Sequence, residues 1–211
     1  MSGYEIVVGT IKQEHRVLGH VVEVLQHSLR DIAAGHTPLD FGLLATILYY
    51  IDDFPERCHH PKEERHFFRT LRERSSEFEP VLDELEAEHV SSAHMMNHLH
   101  RALVHYQAGA PQALSELRAG VDAYAAMLSE HMRKEEHLLA QAELVLTADD
   151  WSAISVAFEA DDDPLFGARP RQAFRLLRLR IRSLLPSKLR SAVPAGERSP
   201  QPGWNGTRRS Q

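Results

Sequence analysis

The spacing of apolar residues in four long stretches limits this 211-residue chain to a small set of folds. Apolar side chains recur there at alternating steps of three and four, which is the spacing of residues that face the core of a helix bundle. The four stretches run from about residue 5 to 34, 39 to 74, 80 to 108 and 112 to 146. Short turn signals separate them, so consecutive helices are expected to be antiparallel neighbours. The sequence therefore predicts an all-α protein, an antiparallel up-down four-helix bundle.

A shorter fifth helix and a basic C-terminal tail are predicted to follow the bundle. The Thr147 hydroxyl can cap the amide near Asp150, and the helix is expected to reach Glu159. Residues 1–167 then form one domain. Residues 168–191 are predicted to be a basic amphipathic segment. Residues 192–211 are rich in Pro, Gly, Ser and Arg and are expected to be disordered.

Charge is divided unevenly between the body and the tail. Residues 169–211 hold 11 Arg and Lys and one Glu, a net charge of +10, which leaves −16 on residues 1–168 of the total of −6. An acidic body repels phosphate, so no nucleic-acid partner is expected. The basic segment fits an anionic membrane surface. Docking onto the acidic bundle and a free tail are the alternatives.

The cysteine content and the apolar stretches of the chain predict its cellular compartment. Cys58 is the single cysteine, so no internal disulfide can form, and no secretory signal is visible near Met1. No stretch approaches the roughly 20 apolar residues that a membrane-spanning helix needs. These features predict a cytoplasmic protein, at most peripheral at a membrane surface.

Each predicted bundle helix carries a histidine on its apolar seam, and two helices add a glutamate four residues later. The six residues are His15, His59, Glu63, His89, His131 and Glu135. Counting from the turns, at about 1.5 Å per residue, brings all six to one height in the bundle. Burying four imidazoles with two carboxylates is strongly destabilising unless they are compensated, and a pair of cations is the simplest compensation. Such donors suit a first-row transition metal such as iron or manganese.

Residues 1 to about 167 resemble the hemerythrin-like family, also called HHE cation-binding domains. The resemblance rests on HHPKEE at residues 59–64, HMRKEE at residues 131–136, and the pairs Glu14-His15 and Glu88-His89. It implies a non-haem di-iron centre. The four seam histidines would be terminal ligands and Glu63 and Glu135 would be bridges. Zinc or manganese would accept the same donors.

Oxygen-carrying hemerythrins have a further histidine where this chain has Ala93. An open or water-filled coordination position is expected to result, and open positions favour substrate binding. The resemblance then implies reaction with O2, H2O2 or NO, as in an oxidative or nitrosative stress response. A module that binds oxygen reversibly, or senses iron or redox state without turnover, is the alternative. A bundle without metal is the third interpretation.

The remaining histidines and the cysteine receive structural interpretations. His60 and His137 lie off the seams and are expected to be exposed. His94, His98 and His105 could form a second metal site, but we expect them to be solvated surface residues. His66 and Thr70 continue the seam of the second helix beyond Glu63, and His66 is a candidate neighbour of the metal ligands. Cys58 is expected to be a small buried hydrophobe.

Overall fold

The computed structural model describes residues 1–36 and 38–160, together with Leu179. Apart from Leu179, the predictions for residues 168–191 and 192–211 concern residues that lie outside this described part. Every regular element within it is helical. None of its helices has an apolar stretch long enough to cross a membrane.

Four long helices form an antiparallel up-down bundle, and a fifth packs against it, as predicted. In chain order the α-helices are α1 (Gly3–Ala33), α2 (Phe41–Phe54), α3 (His60–Lys62), α4 (Arg69–Arg74), α5 (Glu79–Gln107), α6 (Ala113–Ala142) and α7 (Ala148–Ala160). Two π-helical turns, Pro55–His59 and Glu63–Phe68, join α2, α3 and α4 into one second bundle helix, residues 41–74. Each bundle helix packs against its two neighbours, and α7 packs against α1.

The ends of α1 follow from local chemistry. Ser2 and Glu5 form a capping box at its start, in which each side chain accepts a hydrogen bond from the other residue's backbone amide. The helix ends before Gly35, whose φ of 73° lies in the left-handed region that glycine adopts without strain.

The second bundle helix departs from α-helical geometry at its prolines. Pro55 and Pro61 lack the amide hydrogen that an α-helix needs, which by itself predicts a disturbance of the helix there. It takes the form of π-helical bonding, in which the His60 amide donates to the Pro55 carbonyl. The second π-turn shifts the buried face onto Phe67 and Phe68, so the predicted seam positions His66 and Thr70 are only half-buried.

The bundle core is divided into two apolar clusters with a polar layer between them. One cluster includes Leu18, Leu48 and Leu128, and the other includes Ile11 and Leu138. The six polar residues that the sequence places at one height lie in the layer between these clusters. The layer is therefore enclosed by apolar side chains above and below.

The fifth helix begins as predicted, whereas the fourth ends earlier than the predicted residue 146. Helix α6 stops at Ala142, because the Leu144 and Val145 amides bond carbonyls three residues back and tighten the chain into a turn. The turn leads to Thr147, whose hydroxyl accepts from the Asp150 amide at 3.2 Å. Hydrogen bonds from Arg74 lower the pKa of Asp150 to about 2.

Substituting Gly3 with alanine is expected to destabilise the protein by about 1–3 kcal/mol. A Cβ at Gly3 would lie 2.6 Å from backbone atoms of Trp151, so α1 and α7 would have to separate. Gly9→Ala on the same helix is the matched control, since a Cβ there meets nothing within 4 Å. It should stabilise the helix by about 0.5–1 kcal/mol. Urea unfolding measures both, and equal effects of the two substitutions would contradict the close packing of α7.

Candidate metal centre

The six predicted residues converge between the two apolar clusters, as two groups of potential ligands. His15, His59, Glu63 and Glu135 form the first group, and His60, His89 and His131 form the second. All seven side chains are buried, and within each group the ligand atoms lie within 4.8 Å of one another. Two edge-to-face imidazole pairs mark the groups, His15–His59 at 5.1 Å and His89–His131 at 4.9 Å between ring centroids.

The two glutamates belong to the first group and also face histidines of the second. Glu63 places one oxygen 3.5 Å from His59 Nε2 and the other 4.0 Å from His89 Nε2. Glu135 places one oxygen 3.0 Å from His15 Nε2, and its other oxygen is 3.4 Å from His131 Nε2. Each carboxylate thus faces a histidine of both groups, which is the arrangement that a carboxylate bridging two metal ions requires.

Each seam histidine also meets a carboxylate from a neighbouring bundle helix through its Nδ1 atom. The pairs are His59 with Glu14 at 2.9 Å, His89 with Glu64 at 2.7 Å, His131 with Glu88 at 2.9 Å and His15 with Glu136 at 3.5 Å. The pairs run once around the bundle. The three contacts of 2.7–2.9 Å are hydrogen bonds, which hold the proton on Nδ1 and orient Nε2 toward the centre, where a metal ion would bind. The longer His15–Glu136 contact leaves His15 Nδ1 without a hydrogen-bond partner.

The positions of these four carboxylates along the chain follow from bundle geometry. Glu14 and Glu88 precede the seam residues His15 and His89, whereas Glu64 and Glu136 follow the seam glutamates. Adjacent helical residues point about 100° apart around the axis. Alternate helices run in opposite directions. A carboxylate one residue before the seam residue on one helix therefore points the same way around the bundle as a carboxylate one residue after the seam residue on the next helix.

Lysines complete two of these contacts in equivalent ways. Buried Lys62 donates to Glu14 Oε1, and its ammonium lies 5.2 Å from the centre of the Phe158 ring of α7. Lys134 donates to Glu88 Oε1 at 2.5 Å. The α1–second-helix pair and the α5–α6 pair therefore repeat the same contacts, which correspond to the repeated sequence letters H, K, E and E in HHPKEE and HMRKEE.

Burial sets the protonation of the centre. Burial and the charge of Glu135 raise the pKa of Glu63 well above its usual value. Burial also opposes the ionisation of Glu135, but the charge of His131 and the surrounding imidazole nitrogens outweigh it and hold that pKa well below the usual value. Burial and the charge of His15 lower the pKa of His59 well below the usual value. An uncharged imidazole beside an ionised carboxylate is a donor set for a cation.

Several buried atoms of these residues lack a hydrogen-bond partner, and they point to what the centre accommodates. They are His15 Nδ1 and Nε2, His60 Nδ1, Glu63 Oε2, His89 Nε2, His131 Nε2 and both carboxylate oxygens of Glu135. An unsatisfied buried polar group costs about 1–3 kcal/mol, and more when it is charged. Metal coordination satisfies nitrogen and carboxylate lone pairs together, so the residues present fit a pair of metal ions.

Sequence reasoning was wrong about His60 and did not identify the surrounding carboxylates. His60 was expected to be exposed, but it is 5% exposed and belongs to the second group. Burial lowers its pKa to about 3. The four carboxylates could have been identified from the sequence, since each lies next to a seam residue. Nothing in the sequence indicated that His60 is buried, because its position depends on π-helical bonding.

The other histidines, Cys58 and Tyr124 lie as follows. His94, His98, His105 and His137 are exposed, and no metal-binding group besides the two above occurs among the residues that the structure describes. His66 is half-buried and belongs to neither group. Cys58 is buried, as expected. Buried Tyr124 places its hydroxyl 3.5 Å from Ser92 Oγ, and burial raises its pKa to about 12.

The fold and the site define a class of protein, a four-helix bundle with two buried groups of histidine and glutamate suited to metal ions. The Hemerythrin HHE cation binding domain matches residues 7–142. The chain belongs to this family. No curated protein was found to match it significantly.

Replacing Glu88 with glutamine is expected to weaken metal binding about 10–100-fold, the usual effect of losing a carboxylate that orients a ligating histidine. Glu88 holds His131 Nδ1 at 2.9 Å. Glu84→Gln is the matched control, because Glu84 is exposed and also contacts Lys134 but not the histidine. Competition with a coloured chelator measures both. Equal affinities in the two variants would contradict a role for Glu88 in orienting His131.

Proposed function

We propose that this protein holds two iron ions as a non-haem di-iron centre. His15 and His59 would bind one ion, His89 and His131 the other, and Glu63 and Glu135 would bridge them. The observation that carries the proposal is that both glutamates face histidines of both groups. Mixed imidazole and carboxylate donors suit iron. Manganese and zinc accept the same donors, and metal analysis distinguishes the three.

We further propose that the centre binds or reacts with a small ligand, O2, H2O2 or NO. Bound iron would supply electron exchange with such a ligand. The protein's own residues hold the ligating nitrogens toward the centre, keep Nδ1 protonated through the carboxylate contacts, and exclude bulk water by apolar clusters on both sides. A role in the response to oxidative or nitrosative stress would follow from this chemistry.

A surface cavity supports access of a small ligand. It measures about 410 Å³, lies between α1 and α6, and is lined by Lys12, His15, Arg16, Gly19, His20, Glu23, Met132 and Glu136. His15, a proposed ligand, forms part of its wall. The cavity would allow a diatomic molecule or peroxide to approach the centre from one side.

The function is tested on the purified full-length protein by metal analysis, an absorption spectrum and rapid mixing. Two irons per chain and turnover of H2O2 or NO would support the proposed reaction. A stable oxygenated spectrum without turnover would favour the alternative, a reversible oxygen-binding or redox-sensing module. Failure to bind two ions of iron, manganese or zinc would reject the dimetal centre.

The composition of the C-terminal tail supports a separate proposal. Arg169 to Arg190 contain eight basic residues and no acidic one, which suits an anionic membrane surface and a peripheral cytoplasmic location. Co-sedimentation with phosphatidylserine vesicles should require the residues after Gly167. Equal sedimentation of a chain ending at Gly167 would reject the membrane contact.

A further inference from the structure

A continuous line of aromatic rings joins the metal centre to the protein surface. The Phe68 ring stacks on the ring of His89, with 5.9 Å between centroids and an interplanar angle of 14°. Phe67 lies 5.7 Å from Phe68, Trp151 of α7 lies 5.9 Å from Phe67, and Tyr4 of α1 lies 5.1 Å from Trp151. Each step of this line, which we call the aromatic path, is therefore a contact between neighbouring rings.

The second π-helical turn places both phenylalanines of the aromatic path inside the protein. In a regular α-helix, adjacent side chains point about 100° apart around the axis. Glu63–Phe68 is π-helical, and Phe67 and Phe68 are both buried. One of the two rings consequently meets His89 in the centre, and the other meets Trp151 of α7. Single π-turns within α-helices are frequent at functional sites.

The outer end of the aromatic path consists of the two side chains that give up an electron most readily. An indole or a phenol is oxidised far more easily than the ring of phenylalanine. Trp151 is 4% exposed, whereas Tyr4 is half-buried and reaches the surface. Glu143 faces the Tyr4 hydroxyl, and hydrogen bonding to its carboxylate, burial and its negative charge raise the pKa of Tyr4. A carboxylate in this position can accept the phenolic proton that tyrosine releases when it loses an electron.

A second line of rings leads from the other group of ligands to a buried tyrosine. Phe54 stacks on His59 with 5.7 Å between centroids, and Tyr50 stacks on Phe54 at the same distance. Tyr50 is fully buried, so a radical formed on it would stay in the core. Tyr4, by contrast, meets both solvent and a carboxylate, which makes the aromatic path the better route for oxidation to reach the surface.

We propose that the aromatic path carries an electron from Tyr4 to the metal centre when the centre reacts with hydrogen peroxide. Electron tunnelling weakens steeply with distance, so transfer through touching rings, with Trp151 as an intermediate stop, is faster than one long step through the apolar core. Oxidation then ends on a surface tyrosine instead of on the buried histidines that hold the metal. This inference rests on the proposed di-iron centre.

The electrons and protons of this step balance as follows. Hydrogen peroxide accepts two electrons and takes two protons from solvent, its O–O bond breaks, and two water molecules form. One electron comes from iron(II), which becomes iron(III), and the other comes from Tyr4. Tyr4 passes its phenolic proton to Glu143 and remains as a neutral phenoxyl radical. Trp151 passes an electron inward and regains one from Tyr4, so it is unchanged at the end.

Electron paramagnetic resonance of the full-length protein tests the aromatic path. The protein is loaded with two iron(II) ions, half-oxidised with ferricyanide and frozen after mixing with hydrogen peroxide. The wild type should show a tyrosyl radical. Tyr4→Phe, which keeps a ring beside Trp151, should lower the radical yield at least tenfold, and so should Trp151→Phe, which keeps a ring next to Phe67. Tyr106→Phe is the control, because Tyr106 is half-buried like Tyr4 but packs against the other apolar cluster.

The outcomes separate this inference from the proposed function. A wild type that fails to bind two irons rejects the di-iron centre and the aromatic path with it. If the wild type binds two irons but forms no tyrosyl radical, only the aromatic path is overturned. The same holds if the radical yield is unchanged in Tyr4→Phe or in folded Trp151→Phe, or if the radical is lost in Tyr50→Phe instead.

Peptide mass spectrometry after reaction with a nitroso spin trap gives a second readout. The trap should attach to Tyr4 in the wild type, whereas in Trp151→Phe oxidation should shift to inner residues such as His89. Attachment at Tyr4 to the same extent in both proteins would overturn the aromatic path. Circular dichroism and iron content show whether a variant is folded and loaded. If Trp151→Phe is misfolded, Tyr4→Phe at the half-buried end carries the test with the same outcomes.

Discussion

Loading the metal-free protein with iron(II) under anaerobic conditions is expected to raise its thermal unfolding midpoint by about 10–20 °C. Each ion held at about 100 times its dissociation constant stabilises the native state by about 2.7 kcal/mol, so two ions contribute roughly 5 kcal/mol. For a protein of this size, 1 kcal/mol shifts the midpoint by about 2–4 °C. The source is the set of buried nitrogen and carboxylate atoms that have no hydrogen-bond partner.

Differential scanning calorimetry measures the shift, and magnesium is the control. Magnesium prefers oxygen ligands and retains its water, so it should stabilise the protein far less than iron(II) does. The shift should also be reversed by a chelator. If iron(II), manganese(II) and zinc(II) all leave the midpoint unchanged, the buried centre does not hold metal in the native protein.

Glu135→Gln is expected to weaken the binding of both metal ions by at least 100-fold. Glu135 faces histidines of both groups at 3.0–3.6 Å, so its loss removes a negatively charged donor from both positions. Metal-free Glu135→Gln should be less stable than the wild type, because His131 and the surrounding imidazole nitrogens stabilise the ionised Glu135 carboxylate, as its lowered pKa shows. The exposed Glu130 on the same helix provides the control, Glu130→Gln.

Isothermal titration with zinc(II) and urea unfolding of the metal-free proteins measure the two effects separately. A merely structural role for Glu135 would lower the free energy of unfolding and leave the titration of the folded fraction unchanged. Loss of only one binding step would contradict a bridging role, because a bridging carboxylate contributes to both.

Much of the bundle and its centre could be predicted from individual helices. The three-and-four spacing identified residues such as Leu18 and Leu128 as core, and both are buried. Counting from the turns predicted that His15 and His89 would lie at the same height, and the structure places both in the central layer. Both predictions succeed because rise and rotation per residue are nearly constant along an α-helix.

The predictions failed where the backbone departed from the α-helix. His60 was expected at the surface and His66 on the seam, because both were placed by α-helical periodicity. The π-turns beginning at Pro55 and Glu63 shift that periodicity. The prolines indicated where the α-helix would be disturbed. They did not indicate that the backbone would form π-helical hydrogen bonds there, since that depends on packing against the other helices.

By itself the sequence determined the helices, the seams and the common height of the six polar residues, because these depend on the spacing within each helix. Only the tertiary structure decided which carboxylate meets which histidine, that Lys62 is buried between Glu14 and Phe158, and that His60 joins His89 rather than solvent. Those contacts join different helices, and their formation depends on how each helix is rotated about its axis when the bundle packs.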